Sequence, residues 1–260
     1  MAAAAVTRAY APPVNKLYVV HSSHPSEAVK KALELKGIPF KTVEMLIPTQ
    51  LLLVRLLRFP ARSVPALKLD GGERVQGSRA IMRRLDELVP EPALLPADEA
   101  ARTAVLDAER WGEEVLQPLA RRAVWAALKR RPAAIPSFQE ASQLPQLPRP
   151  VVRVVAPGVI RLETAVHRAS DAQLRDDLRA LPGHLDRIDA FVAAGVMGGP
   201  EPNAADLQIG SSLRLLATVG DVRPLLAGRA AEALALRLFA DYPGDVPAGA
   251  YPADWLPARA

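Results

Sequence analysis

Three short stretches in the first third of the chain combine residue types and spacing that could do chemistry. The first is Ser23-His24-Pro25-Ser26, where the apolar run Leu17-Tyr18-Val19-Val20 gives way to Ala28, Val29, Ala32, Leu33 and Leu35 at helical spacing. Pro25 suits the first turn of a helix, so Ser23 stands at a helix N-terminus, where unpaired N–H groups and the helix dipole favour negative charge. A serine hydroxyl there either caps the helix or donates a hydrogen bond to the sulfur of a bound thiol. The second use pulls the thiol pKa down from ~8.5 towards neutrality and populates the nucleophilic thiolate. Each unit of lowering takes about 1.4 kcal/mol of preferential stabilisation of the anion.

The second stretch is Val64-Pro65. A proline after a strand-like valine fits an edge position or a cis peptide bond, or a plain tight turn. In the first case the backbone N–H and C=O of Val64 are available to pair with an extended peptide ligand. The third is Gln76-Gly77-Ser78. Ser78 is expected to begin a helix, as an ordinary N-cap or as a holder, with the first N–H groups, of a ligand carboxylate.

These residues need elements to position them. Residues 16–21 read as a strand buried on both faces. The helix that follows ends near Gly37, a natural residue just past a C-terminus, and 40–44 alternates as a second strand. Strand, helix and strand in so short a span make a βαβ unit with parallel strands. The leucines of 45–60 suggest a short helix, too apolar for a wholly solvated surface. Asp70-Gly71-Gly72 marks a tight turn between strands at 63–69 and 73–76. A helix carrying Ile81, Met82, Leu85, Leu88 and Val89 on one face comes next.

The prolines of 90–98 mark a linker, and beyond them strand character nearly vanishes. A long helical pattern runs from 99 through Trp111 and Trp125 to about 131, and Pro118 is expected to kink it or divide it in two. Residues 132–158 are proline-rich and irregular, with 151–155 as a short element at most. Helices follow near 170–194, 203–219 and 224–240. The tail 241–260 is rich in proline and glycine, with Tyr242, Tyr251 and Trp255 as aromatic anchors. The expected organisation is a 1–15 leader, a 16–89 domain, a 90–98 linker, a 99–240 all-α domain and the tail.

Taken in order, the three stretches resemble the glutathione transferases: a thioredoxin-like α/β N-terminal domain followed by an all-α bundle. Ser23-His24-Pro25-Ser26 is similar to the Ser-x-Pro-Cys turn of the theta-like classes, with Ser26 in place of the cysteine. The resemblance puts Ser23 on the hydroxyl that activates glutathione. Val64-Pro65-Ala66-Leu67 matches the family's Val-Pro-Ala-Leu, whose proline is cis and whose valine pairs with the cysteinyl backbone. Gly77-Ser78-Arg79-Ala80-Ile81 resembles its Glu-Ser-x-Ala-Ile, which holds the γ-glutamyl end. Asn203-Ala204-Ala205-Asp206 resembles the capping box that starts the family's buried helix. One departure matters: Gly77 replaces the acidic residue, so the contact with the γ-glutamyl ammonium is lost or moves to Gln76. That loss costs about 1.5–3 kcal/mol, roughly ten- to a hundredfold in affinity, and leaves open whether the thiol is glutathione, another small thiol or none.

The resemblance implies an enzyme joining a low-molecular-weight thiol to a hydrophobic electrophile seated between the domains, against the helix of Trp111. It also implies a homodimer. The rival is a non-catalytic binding or assembly protein of the same fold. Composition narrows the classes further. The 260 residues hold no cysteine, so disulfides, cysteine metal sites and a protein-supplied catalytic thiol are excluded. His21 and His24 have no third ligand in view, so no metal is expected. The net charge of +5 comes from arginines interspersed with acids, the pattern of solvated helix faces rather than of a nucleic-acid partner. Residues 1–6 lack the charged and apolar regions of a secretory signal, and Leu51-Leu52-Leu53-Val54 is far too short to span a bilayer. A cytoplasmic protein without a membrane partner is expected.

Overall fold

β1 (Asn15–Val20) has its two faces in two different cores, which is why Leu17 to Val20 form an unbroken apolar run. Leu17 and Val19 are fully buried in the main core, whereas Tyr18 points to a smaller cluster with Met45, Val54, Phe59 and Ala66. The period of two along a strand makes that division automatic. In the computed structural model, which describes residues 14–257, β1 is followed by α1 (His24–Leu35), β2 (Phe40–Met45), α2 (Gln50–Leu56), β3 (Ala66–Lys68), β4 (Arg74–Gln76) and α3 (Ser78–Leu88). All but the end of the expected leader lies outside the described residues.

The sheet order is β2-β1-β3-β4. β1 and β2 are parallel, joined over α1, while β3 is antiparallel to both β1 and β4. Gly37 closes α1 with φ +60°, a conformation that glycine adopts without strain. This is the expected thioredoxin-like plan. α2 buries only Val54, and Leu52 and Leu56 remain 64% and 68% exposed.

The rest is helical: α4 (Glu99–Trp111), α5 (Gln117–Arg130), a 3-10 segment (Pro132–Gln139), α6 (Arg149–Val166), α7 (Asp171–Ala193), α8 (Ala204–Leu216), α9 (Arg223–Leu226) and α10 (Ala230–Leu238). Two expectations are corrected. The irregularity in the first long helix is a π turn, Gly112–Leu116, which precedes Pro118. It lies where α8 crosses: a Cβ on Gly112 would stand 2.6 Å from Ile209 Cγ1. Residues 149–158 are not irregular but open α6. Valine and proline both lower helix propensity, yet Pro150 falls in the first turn, where it is tolerated. Ala156 and Ile160, four apart, bury one face. Among the described residues no helix is long and apolar enough to cross a membrane.

α8 is the axis of the second domain. Every residue from Ala204 to Leu213 is buried, and the helix packs on α1, α3, α4, α5 and α10. Its start is the expected capping box. Asn203 Oδ1 accepts from the N–H groups of Ala205 (2.9 Å) and Asp206 (3.1 Å), and Asp206 Oδ2 accepts from Asn203 N–H at 2.9 Å. Asp206 Oδ1 also accepts from Gly198 N–H at 2.7 Å. Asn203→Ala removes the N-cap, and is expected to lower unfolding stability by about 1–2 kcal/mol. Urea denaturation checks this, and a loss below a few tenths would show that the box does not hold the helix start.

Candidate functional site

The topology brings the three sequence-predicted stretches to one end of the sheet. β1 finishes there and hands over to Ser23. β3, running antiparallel to β1, starts there after Val64-Pro65. β4, antiparallel to β3, finishes there at Gln76 and hands over to Gly77-Ser78.

Ser23 is the N-cap residue of α1, with φ −75° and ψ 107°, and its side chain makes no capping hydrogen bond. The backbone does the local work instead: Ser23 C=O accepts from Ser26 N–H (2.8 Å) and Glu27 N–H (3.0 Å), and Ser23 N–H donates to Val20 C=O at 3.1 Å. A partly exposed hydroxyl is thus left at a helix N-terminus without being spent on the cap. Behind it His24 is only 2% exposed. Burial holds its imidazole well below the usual histidine range, and the charges of Arg121 and His167 push the same way. His24 is therefore neutral. Ser26 is fully buried.

The Val64–Pro65 bond is cis. The ladder to β1 begins at the Tyr18–Ala66 pair, so Val64 lies beyond its end. Pro65 C=O accepts from Gly77 N–H at 3.0 Å, which ties the second stretch to the third.

The third stretch departs from expectation. Ser78 is not the N-cap; Gly77 is, with φ +91°, where any side chain would be strained. That conformation accounts for a glycine where the resembling family carries an acid. Ser78 is 3% exposed, and its hydroxyl donates to Gln208 Oε1 of α8 at 2.9 Å. Gln76 is also engaged. Its Oε1 accepts from Ala61 N–H (2.7 Å), and its Nε2 donates to the carbonyls of Ala61 (3.0 Å) and Ser63 (2.6 Å). Both side chains expected to hold a ligand thus bind the protein itself, Ser78 joining the two domains and Gln76 pinning the loop before the cis proline. The first-turn N–H groups of α3 retain the capacity to receive a carboxylate.

Trp111, on the helix against which the electrophile is expected, is itself a core side chain. Its indole is 8% exposed and meets the rings of His184 and Phe191 on α7, with centroids 5.7 and 5.9 Å away. That is the interior of the helical domain.

Sequence reasoning missed the segments that close over the Ser23 turn. His21 Nδ1 lies 3.1 Å from Glu44 Oε1, and its Nε2 lies 2.8 Å from the carbonyl of Glu140. Ser22 Oγ donates to Phe138 C=O at 2.5 Å, and Tyr242 Oη donates to Ser22 C=O. Glu44 Oε2 accepts from Ser142 Oγ (2.7 Å) and Gln143 N–H (2.9 Å). Beside this junction lies a cleft of about 330 Å³ lined by Ser137, Glu140, Ala141, Tyr242, Gly244 and Asp245. The one cue in the sequence was the unassigned 132–158 stretch.

Comparison with known proteins agrees with this geometry. Residues 17–93 match the family described as the glutathione S-transferase N-terminal domain. A maleylacetoacetate isomerase of Pseudomonas aeruginosa is 36% identical over 95 residues, covering 34% of this chain and 43% of the isomerase. The chain thus aligns with less than half the length of the curated relatives it matches. A glutathione transferase from Phanerochaete chrysosporium superimposes with a TM-score of 0.62 at 19% identity, over 89% of this chain and 98% of the other. A glutathione S-transferase from Rhodospirillum rubrum F11 gives 0.58 at 18%, over 93% and 98%. The family match is confined to residues 17–93, and the fold as a whole is that of the glutathione transferases.

Burial raises the pKa of Glu44, but the bonds from Ser142 and Gln143 and the charge of His21 outweigh it, leaving the carboxyl below its ordinary value of 4.5. A depressed folded-state pKa stabilises the docked segment above the unfolded value, and that stability is lost as pH falls through the folded one. Amide exchange at Gln143, corrected for its intrinsic rate, should be slow at pH 7 and lose protection only once the pH has fallen below the ordinary carboxyl value of 4.5. Glu44→Gln should lose it already at pH 7; unchanged protection in that variant would remove Glu44 from this role.

Proposed function

We propose that the chain is a glutathione-transferase-like enzyme that binds a low-molecular-weight thiol, glutathione or a close analogue, with its sulfur at Ser23 Oγ. The observation that carries this reading is the meeting of Ser23, Val64-cis-Pro65 and the start of α3 at one end of the sheet, with the Ser23 hydroxyl not used as a cap. Ser23 O–H donates to the sulfur and the N-terminus of α1 adds a favourable field. The proton leaves the thiol for solvent, because the buried neutral His24 resists taking it up. Val64 pairs with the peptide backbone of the thiol, and the first turn of α3 receives its carboxylate. The thiolate then attacks an electrophilic carbon. With a leaving group the product is a thioether; with a conjugated double bond, addition, rotation and loss of the thiolate give an isomer. The name of the curated relatives supports including the second outcome. The same reading takes the protein as a cytoplasmic homodimer.

A second reading, a binding protein of the same fold, is favoured by the internal engagement of Gln76 and Ser78. Calorimetric titration with glutathione and other small thiols separates the two, since binding to none of them leaves only the second. Ser23→Ala is expected to cut thiol-dependent turnover at least tenfold while thiol affinity changes less than threefold; unchanged turnover would remove Ser23 from the mechanism. Ser78→Ala should act differently. It leaves Gln208 Oε1 without its donor, so unfolding stability falls by about 1–2 kcal/mol, while thiol affinity stays within threefold. A large loss of affinity with intact stability would return Ser78 to the ligand site.

A further inference from the structure

We propose that Tyr242 is a positioning residue for Ser23, acting through the peptide group that joins Ser22 to it. The inference rests on the reading of Ser23 as the thiol-activating hydroxyl. Ser22 is a non-glycine residue at φ +62°, a conformation that surrounding structure must hold in place. Its carbonyl accepts from Tyr242 Oη. That carbonyl lies in the same rigid peptide plane as the N–H of Ser23, so a fixed carbonyl leaves Ser23 Cα, and the bond that carries its hydroxyl, little freedom to turn. The other end of the plane is held by the 3.1 Å bond from Ser23 N–H to Val20 C=O, and the Ser22 side chain by Phe138 C=O at 2.5 Å.

Tyr242 is itself braced. Its ring is buried, and burial, with the charge of Glu27 next, pushes its phenol well above the usual range, so the hydroxyl keeps its proton and remains a donor. Arg214 of α8 donates to the carbonyls of Phe239 (3.0 Å), Ala240 (3.2 Å) and Tyr242 (3.4 Å), fixing where the tail leaves α10. Two residues on, Gly244 has φ +111°, and a Cβ there would stand 2.4 Å from Phe138 Cε1. Asp245 N–H donates to Ser137 Oγ at 2.8 Å. The tail and the 3-10 segment thus lock against each other, and both hold Ser22. The C-terminal end of the fold sets the direction of a side chain at its N-terminal end.

The test uses the full chain with glutathione and an aryl halide as probes, following the pH profile of kcat/KM and the ultraviolet absorbance of bound thiolate. Tyr242→Phe removes one hydroxyl. It should lower kcat about five- to tenfold at pH 6.5 and raise the apparent pKa of the bound thiol by about half a unit or more, while KM for glutathione stays within twofold. Gly244→Ala, which keeps the phenol but displaces Phe138 and the tail, should shift the profile the same way. A role in packing alone would lower the melting temperature and leave the thiol pKa where it was. If Ser23→Ala moves the profile and neither of these variants does, the inference is overturned and the reading of Ser23 stands. If Ser23→Ala also has no effect, or the native protein binds no glutathione, both are overturned.

Discussion

The fold depends on where α8 begins. A helix turns through one residue's worth of arc, roughly 100°, for every position by which its start slips, and α8 carries two side chains on which the candidate site leans from the far domain. Gln208 receives the hydroxyl of Ser78, and Arg214 holds the departing tail that reaches Ser22. Both are placed by the reciprocal bonds of Asn203 and Asp206 at the start of the helix. Asp206 is fully buried, and burial raises its pKa against the backbone bonds that lower it. Those bonds are what keep a carboxylate tolerable there. A neutral cap of another length would leave the helix free to choose a different register.

The balance of forces at Ser23 favours the hydroxyl over the helix. The field of a helix N-terminus contributes about 0.3–1 kcal/mol to an anion, whereas a hydrogen bond to a charged sulfur contributes about 1.5–3 kcal/mol. Under the proposed function the two together would lower a bound thiol by roughly one to three pKa units, enough for a useful thiolate fraction near neutrality. The direction in which Ser23 points is therefore worth more than the helix behind it.

The parts of this arrangement that are local in the chain were legible in the sequence. The βαβ unit, the hairpin across Asp70-Gly71-Gly72 and the Asn-x-x-Asp cap each rest on short local patterns, whereas Val64-Pro65 left a cis bond and a plain turn both open. α6 was not legible, because its valines and prolines carry the wrong propensity and only burial against the bundle makes it helical. The π turn at Gly112 was not legible either: it answers to Ile209, a neighbour in space alone. Ser78 was read as a cap because nothing near it names Gln208, 130 residues away. Tyr242 was recognised as an anchor, but no pattern could say that it anchors to Ser22.

That last contact spans 220 residues, which bears on how the protein is made. A ribosome adding about 5–20 residues per second separates the two partners by roughly ten to forty seconds of synthesis. During that interval the N-terminal sheet and α1 have left the exit tunnel, while the group that fixes the turn between them does not yet exist. On the proposed reading, the contact that orients Ser23 therefore cannot form until residue 242 has been made.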